Sequence, residues 1–220
     1  MRQTFELIIF DCDGTLITSE VLNNTAVSKA LAHLGHLKYN LDFCLNSFTG
    51  KSFKDICKVV EQNENCKIDK NLFGKLISRF SIENIPQIQA APNAAKLLDQ
   101  IKIPKVVGSN GHREFVLKYL EQAKLLKFFG ASNIFTHNQV DRPKPYPDLF
   151  LYAAQMNDVD PKNTMVIEDS VTGVIAAKSA GMYAVGFIGS HINQDVARAQ
   201  LEDAGADKII DDLLDVLDLV

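Results

Sequence analysis

Short apolar runs alternate with amphipathic segments along most of the chain. The first run, residues 5–10, is apolar except at Glu6 and ends at Asp11, which is typical of a buried strand in a parallel sheet. After about residue 92, apolar runs and helical periodicity follow each other to the C-terminus. The pattern predicts helices at 93–101, 113–124, 147–156, 171–180 and 194–204, and strands at 105–108, 133–136, 164–167, 183–188 and 208–210. This alternation predicts a Rossmann-like α/β fold with a doubly wound parallel sheet.

A helical stretch interrupts the alternation directly after the first strand. Ser52 and Asp69 stand where each could cap a helix, and the stretch 86–92 begins and ends with proline, as a returning linker would. We therefore expect an α/β core made of residues 1–17 and 87–220, with a smaller all-helical domain at 18–86. Because ligands bind at the carboxyl ends of the strands in such sheets, we expect the insert to cover the site.

Composition and charge exclude several classes of protein. The 220 residues include 23 Lys and Arg against 27 Asp and Glu, which gives a formal net charge of −4 and argues against a broad nucleic-acid surface. The apolar runs are too short to cross a bilayer, and no signal-peptide pattern precedes Asp11. We expect a cytoplasmic protein without nucleic-acid or membrane partners. We also expect a monomer, since an inserted domain can act within one chain.

Paired carboxylates follow the first strand in the motif Asp11-Cys12-Asp13-Gly14. Side chains two residues apart on extended backbone point the same way, so the two carboxylates can face one ligand. Such a pair can hold a hard cation or divide the work of nucleophile and acid–base catalyst. An acidic turn without chemistry is the alternative interpretation of this pattern.

Three further motifs lie at predicted strand ends or in linked loops. Ser109, Asn110 and Gly111 follow a strand and could bind phosphate, or could simply cap a helix. Lys144 stands between two prolines that restrict its backbone, which could aim its ammonium group at an anion or could mark a surface loop. Glu168-Asp169 follows another strand and could bind metal or complement a helix dipole.

All four motifs in this order are hard to explain by coincidence. Acidic groups would hold Mg²⁺, while a hydroxyl and a lysine would neutralise an anion. The combination predicts phosphoryl transfer.

With these motifs the chain resembles the haloacid dehalogenase superfamily of phosphohydrolases. The resemblance covers nearly the whole chain and is closest to the helical-cap branch, which includes β-phosphoglucomutase and phosphoglycolate phosphatase. It implies that Asp11 is the nucleophile that becomes an aspartyl-phosphate and that Asp13 is the general acid and base. The main-chain carbonyl of Asp13 would also contact the metal.

The resemblance also implies roles for the later motifs. Ser109 would bind the transferring phosphoryl group with Asn110 beside it, Lys144 would neutralise charge, and Glu168 with Asp169 would complete a Mg²⁺ site. The implied metal ligands are thus Asp11, Asp13, Glu168 and Asp169, and the implied phosphate- or substrate-binding residues are Gly14, Asn23, Lys51 and Asn110.

The implied activity is hydrolysis of a small phosphorylated metabolite, such as a sugar phosphate or sugar-acid phosphate. Asp13 argues against dehalogenation, because dehalogenases lack an acid–base carboxylate there. A β-phosphoglucomutase-type isomerase is the alternative, and it would have to bind a second phosphate. The segment 49–55 resembles a substrate-specificity loop, and Lys51 in this segment is compatible with binding that phosphate. Thr18 stands where many relatives have Asp, and the five histidines are interpreted as surface or structural residues.

Overall fold

The computed structural model describes residues 4–49 and 51–220. Eight strands lie in this part of the chain: β1 (Leu7–Phe10), β2 (Ile17–Thr18), β3 (Gln89–Ala90), β4 (Lys105–Ser109), β5 (Ile134–Thr136), β6 (Thr164–Glu168), β7 (Tyr183–Phe187) and β8 (Lys208–Ile210).

Nine α-helices lie among the same described residues: α1 (Glu20–His33), α2 (Leu41–Ser47), α3 (Phe53–Glu64), α4 (Lys70–Asn84), α5 (Ala94–Gln100), α6 (Arg113–Gln122), α7 (Asp148–Gln155), α8 (Val171–Ser179) and α9 (Gln194–Asp203). None of these helices has the length and apolar character that crossing a membrane requires.

Six strands form one parallel sheet in the order β5-β4-β1-β6-β7-β8. The first strand of the chain lies inside the sheet, and all four of its residues are buried. Chain order reverses direction on the two sides of β1, which creates the switch point where α/β sheets bind ligands. The predicted doubly wound α/β fold is confirmed.

An apolar cluster covers one face of the sheet. Leu7 and Ile9 point to this face and pack with Val106 of the neighbouring strand and with Leu149 and Phe150 of α7. Each fully buried side chain of this size contributes about 1.5–3 kcal/mol to folding relative to an exposed one. The cluster fixes the position of α7 on the sheet. This position matters for the site, because the loop before α7 carries one of the candidate site residues.

A small antiparallel ladder joins two distant parts of the chain. Ile17 pairs with Ala90 and Thr18 with Gln89. The main-chain N–H of Ala91 adds a hydrogen bond to the carbonyl of Leu16 at 2.8 Å. We expected only a linker at 86–92, because a strand of two residues is too short to show an alternating pattern.

The chain divides into two compact units. One contains the N-terminal residues to Thr18 together with Gln89–Val220, and the other is Ser19–Ile88. These boundaries lie one or two residues from those expected. The second unit contains α1 to α4 and has its own apolar core, in which Tyr39 and Phe73 are fully buried among Val27, Leu31 and Val60.

Side-chain caps begin two helices of the second unit at the expected residues. Ser52 accepts a hydrogen bond from the N–H of Asp55 ahead of α3. Asp69 accepts hydrogen bonds from the N–H groups of Asn71 and Leu72 ahead of α4, both at 3.0 Å. These bonds satisfy amide groups that have no partner within the helix.

We expect Asp69→Ala to destabilise the helical unit by about 1 kcal/mol, because it removes both cap bonds. Asp69→Asn keeps an acceptor oxygen and should therefore lose far less stability than Asp69→Ala. Urea unfolding followed by circular dichroism measures both variants. Equal stability of Asp69→Ala and the wild type would show that the cap contributes nothing.

Candidate active site

The sheet register brings three of the four sequence motifs to one edge. Phe10 at the end of β1 pairs with Val107 in β4 and with Ile167 in β6. The residues that follow these strand positions, among them Asp11 and Glu168, therefore emerge at the carboxyl edge of the central strands. This is the edge at which the sequence predicted a site.

Lys144 reaches this edge from the loop before α7. Its Nζ lies 2.6 Å from Oδ1 of Asp11 and 2.5 Å from Oε1 of Glu168, and all three side chains are at least nine-tenths buried. The ammonium group also lies 4.8 Å from the ring centre of Phe150. Burial alone would lower the pKa of Lys144, but the attraction of Asp11 and Glu168 outweighs it and raises that pKa. Lys144 is therefore a fixed cation.

Both carboxylate oxygens of Glu168 have protein partners. Oε1 accepts from Lys144, while Oε2 accepts from the N–H and the hydroxyl of Ser170, each at 2.8 Å. The first turn of α8 packs directly on this carboxylate, since a Cβ at Gly173 would lie 1.9 Å from its Cδ. In this structure Glu168 anchors Lys144 to the sheet edge, and its role as a metal ligand remains a prediction.

Asp169 lies against the turn that follows β1. Gly14 has a φ of +83°, and a Cβ there would lie 2.0 Å from Oδ2 of Asp169. The hydroxyl of Thr15 donates to Oδ1 of Asp169 at 3.3 Å. Gly14, expected to bind phosphate or substrate, here provides the left-handed turn and the space that let Asp169 approach β1.

Charge in this cluster is predominantly negative. Burial raises the pKa of the Asp11 carboxyl; Lys144 opposes that rise, and Glu168 and Asp13 add to it. Burial likewise raises the pKa of Asp169, with further contributions from Glu168 and Asp11. Glu168 and Asp13 thus add negative charge around Asp11 and Asp169, and a bound cation would favour the ionised forms of those two carboxyls.

The carboxylates of the site could bind Mg²⁺ only together with ligands from outside the protein. Among the described residues, no three His, Cys, Asp or Glu side chains form a group that could hold a metal by themselves. Mg²⁺ needs no such cage, because it is usually bound by one or two carboxylates, retained waters and substrate phosphate. Asp11 and Asp169 are the carboxylates that could hold it in this way.

Ser109 and Asp13 lie next to the turn after β4. The hydroxyl of Ser109, only 2% exposed, accepts from the N–H of Gly111 at 3.0 Å and keeps its own proton as a donor. A Cβ at Gly111 would lie 3.3 Å from Oγ of Ser109 and 3.8 Å from Oδ2 of Asp13. The structure therefore brings the predicted acid–base residue close to the predicted phosphate-binding hydroxyl.

Asn110 clamps the main chain at Lys144. Its amide nitrogen donates to the carbonyl of Lys144 at 3.0 Å, and its amide oxygen accepts from the N–H of Lys144 at 3.1 Å. The sequence predicted that Asn110 binds phosphate. In the structure the side chain ties the loop after β4 to the loop that carries Lys144, and phosphate binding by Asn110 remains a prediction.

Two predicted binding residues belong to the helical unit. Asn23 is exposed on α1, and Lys51 is exposed just before α3. The neighbouring Gly50 lies outside the described residues. Asn24 is buried and donates to the hydroxyl of Thr49 at 3.1 Å, so it joins α1 to the loop before α3. Substrate contacts by Asn23 and Lys51 remain predictions.

Histidines gather near the site although their sequence spacing showed no cluster. Nε2 of His191 lies 2.9 Å from the main-chain oxygen of Asp169. The rings of His112 and His137 have centres 4.5 Å apart, because the two residues follow the adjacent strands β4 and β5. Burial lowers the pKa of His137, and His112 lowers it further. The adjacency of β4 and β5 in the sheet would have revealed this histidine pair, but the spacing of residues in the sequence does not show which strands are adjacent.

The fold and this cluster define a Rossmann-like α/β enzyme with an acidic, lysine-bridged site at the ends of its strands. Residues 8–187 match the sequence profile of the haloacid dehalogenase-like hydrolases, and the chain belongs to that family. The resemblance inferred from the four motifs is thereby confirmed.

Several relatives are phosphatases. The chain is 28% identical to a validoxylamine A 7'-phosphate phosphatase of Streptomyces hygroscopicus subsp. limoneus, over 90% of this chain and 92% of that one. It is 25% identical to the 6-phosphogluconate phosphatase of Escherichia coli strain K12, over 89% and 88%. These relatives support a phosphoric monoester hydrolase.

A solved structure resembles this chain over nearly its whole length. It is a hydrolase of the same family from Deinococcus radiodurans R1, determined with bound phosphate and sodium. The two chains are 29% identical, the alignment covers 97% of this chain and 94% of that one, and the TM-score is 0.78.

We expect Asn110→Ala to lower the free energy of unfolding by about 1–3 kcal/mol, because it removes two hydrogen bonds of about 0.5–1.5 kcal/mol each. The amide of Lys144 should also exchange with solvent faster. Urea unfolding and hydrogen exchange measure these effects, with Asn71→Ala on the exposed start of α4 as the control. Unchanged exchange at Lys144 would contradict the clamp.

We expect His137 to make unfolding pH-dependent on the acid side. Its pKa is lower in the folded chain than the ordinary 6.5, so the unfolded chain binds more protons and stability falls as pH drops below about 6.5. The free energy of unfolding of His137→Gln, measured by urea unfolding, should fall less between pH 7.5 and pH 5.5 than that of the wild type. An identical pH slope for the variant and the wild type would refute this assignment.

Proposed function

We propose that the chain is a Mg²⁺-dependent phosphatase that hydrolyses a small phosphorylated metabolite through an aspartyl-phosphate intermediate. The observation that carries the proposal is the buried bridge from Asp11 through Lys144 to Glu168, set beside Ser109 and Asp169. A carboxylate nucleophile, a fixed cation and a hydroxyl donor are the groups that phosphoryl transfer requires.

Asp11 is the proposed nucleophile. Lys144 occupies its Oδ1, which leaves Oδ2 as the oxygen to attack phosphorus. As the new oxygen–phosphorus bond forms, the bond to the leaving alcohol oxygen breaks, and Asp13 donates a proton to that oxygen. Asp13 then takes a proton from water, which attacks the phosphorus and releases inorganic phosphate. Asp11 returns to its free carboxylate form.

The surrounding groups hold charge in place during both steps. The hydroxyl of Ser109 donates to a phosphoryl oxygen, and Lys144 keeps its proton and offsets the negative charge of Asp11. Asp11, Asp169 and the main-chain carbonyl of Asp13 would hold Mg²⁺, which would supply further neutralisation of the phosphoryl oxygens when bound. Glu168 acts by fixing Lys144, which is costly to displace because its removal would leave buried carboxylates unpaired.

The proposed substrate is a sugar phosphate or a sugar-acid phosphate. Its support is the activity of the two relatives above, one of which acts on 6-phosphogluconate. Asn23 and Lys51 are the proposed substrate contacts of the helical unit. We also propose that the enzyme is cytoplasmic and works as a monomer.

We expect the wild-type chain to release inorganic phosphate from a panel of sugar phosphates and sugar-acid phosphates with Mg²⁺, and to lose this activity with EDTA. Asp11→Asn should reduce release by more than about 1,000-fold, because loss of a nucleophile removes its chemistry entirely. Asp99→Asn, exposed on α5, is the matched control and should retain wild-type activity. A colorimetric phosphate assay measures all three proteins.

Two results would contradict the phosphatase. Isomerisation of glucose 1-phosphate with a sugar bisphosphate primer, without phosphate release from the panel, would establish the mutase alternative. Mg²⁺ binding with neither release nor isomerisation would leave a binding protein that performs no chemistry on these compounds.

A further inference from the structure

His191 contacts the proposed metal ligand Asp169 at its main chain. Nε2 of His191 lies 2.9 Å from the carbonyl oxygen of Asp169 and 3.6 Å from its Oδ2. A carbonyl oxygen only accepts, so Nε2 carries the proton of this hydrogen bond. The imidazole therefore holds the main chain of Asp169 and lies beside its carboxylate.

A tight turn after β7 directs His191 to this place. The N–H of His191 donates to the carbonyl of Ile188 at 3.0 Å, and the N–H of Ile188 donates to Ile210 at the end of β8. A Cβ at Gly189 would lie 2.1 Å from the carbonyl oxygen of Asp211. Glycine lets this loop pack on the end of the sheet, so the His191 ring is carried on a fixed backbone.

The carboxylate of Asp169 needs such support. It is partly buried, with 16% of the side chain exposed, and the negative charges of Glu168, Asp11 and Asp13 would push it away from the cluster. Contact with Gly14 and a long bond of 3.3 Å from Thr15 hold one side of it. From the side of β7, His191 donates to the main-chain carbonyl of Asp169, and so holds the backbone that carries this carboxylate.

We propose that His191 is a positioning residue that holds Asp169 in the orientation that receives Mg²⁺ and so sets the metal affinity of the site. The inference rests on the proposed function for the identity of the metal. Outer partners of metal ligands change metal affinity or activity by about 10–100-fold when they are removed.

The test measures Mg²⁺ binding by isothermal titration calorimetry on the full chain without substrate. We expect His191→Ala to weaken Mg²⁺ binding about tenfold or more. Glutamine can place an amide N–H near the position of Nε2, so His191→Gln should restore affinity to within about threefold of the wild type. His33→Ala, exposed on α1, is the matched control and should bind Mg²⁺ as the wild type does.

Thermal unfolding without Mg²⁺ separates positioning from a merely structural role. His191→Ala and His191→Gln should unfold as single transitions near the wild type, while their Mg²⁺ affinities differ. Wild-type affinity in His191→Ala would overturn the inference. Equally weak binding by both folded variants would also overturn it, since the donated hydrogen bond would then not matter.

Failure of the proposed function gives a different result. If the wild type binds Mg²⁺ but releases no phosphate, the phosphatase proposal falls, and the affinity difference between the variants still decides the role of His191. If the wild type binds no Mg²⁺, the inference about His191 is overturned.

Discussion

The buried contact of Lys144 with two carboxylates is the interaction on which the rest of the site depends. Removing an ammonium group and two carboxylates from water is costly, and their attraction offsets this cost only when the geometry is held. Asn110 fixes the main chain of Lys144, and Ser170 fixes Glu168 from the other side. The residues around the bridge thus serve mainly to hold the three charged groups at hydrogen-bonding distance. That requirement explains why so many of them bond to one another.

Parallel strands make this arrangement possible. The site groups come from distant parts of the sequence, and one of their hydrogen bonds spans the 133 residues between Asp11 and Lys144. The register of β1 with β4 and β6 converts these separations into distances below 3 Å. Glycines at positions 14 and 173 then let acidic side chains approach neighbouring backbone at close range.

Much of this was accessible from the sequence, because apolar periodicity reports burial and the motifs follow strand ends. The α/β fold, the family and the caps at Ser52 and Asp69 were predicted, and the structure or the comparisons confirm them. The sequence pattern shows that Glu168 and Asn110 have the chemistry to bind metal or phosphate, but it does not show their contacts within the protein. Only the structure shows that both residues bond to Lys144. His191 was missed because its contact with Asp169 arises from the order of β6 and β7 in space.

The short β2–β3 ladder has a consequence for how such a chain can vary. Ser19–Ile88 leaves and re-enters the α/β unit at two points that backbone hydrogen bonds hold side by side. Closing a loop costs entropy that grows only slowly with its length, so the α/β unit is nearly indifferent to how many residues lie between those points. The inserted segment can therefore be lengthened, shortened or exchanged with little penalty to the sheet. Evolution can remodel one unit while the charged bridge in the other stays unchanged.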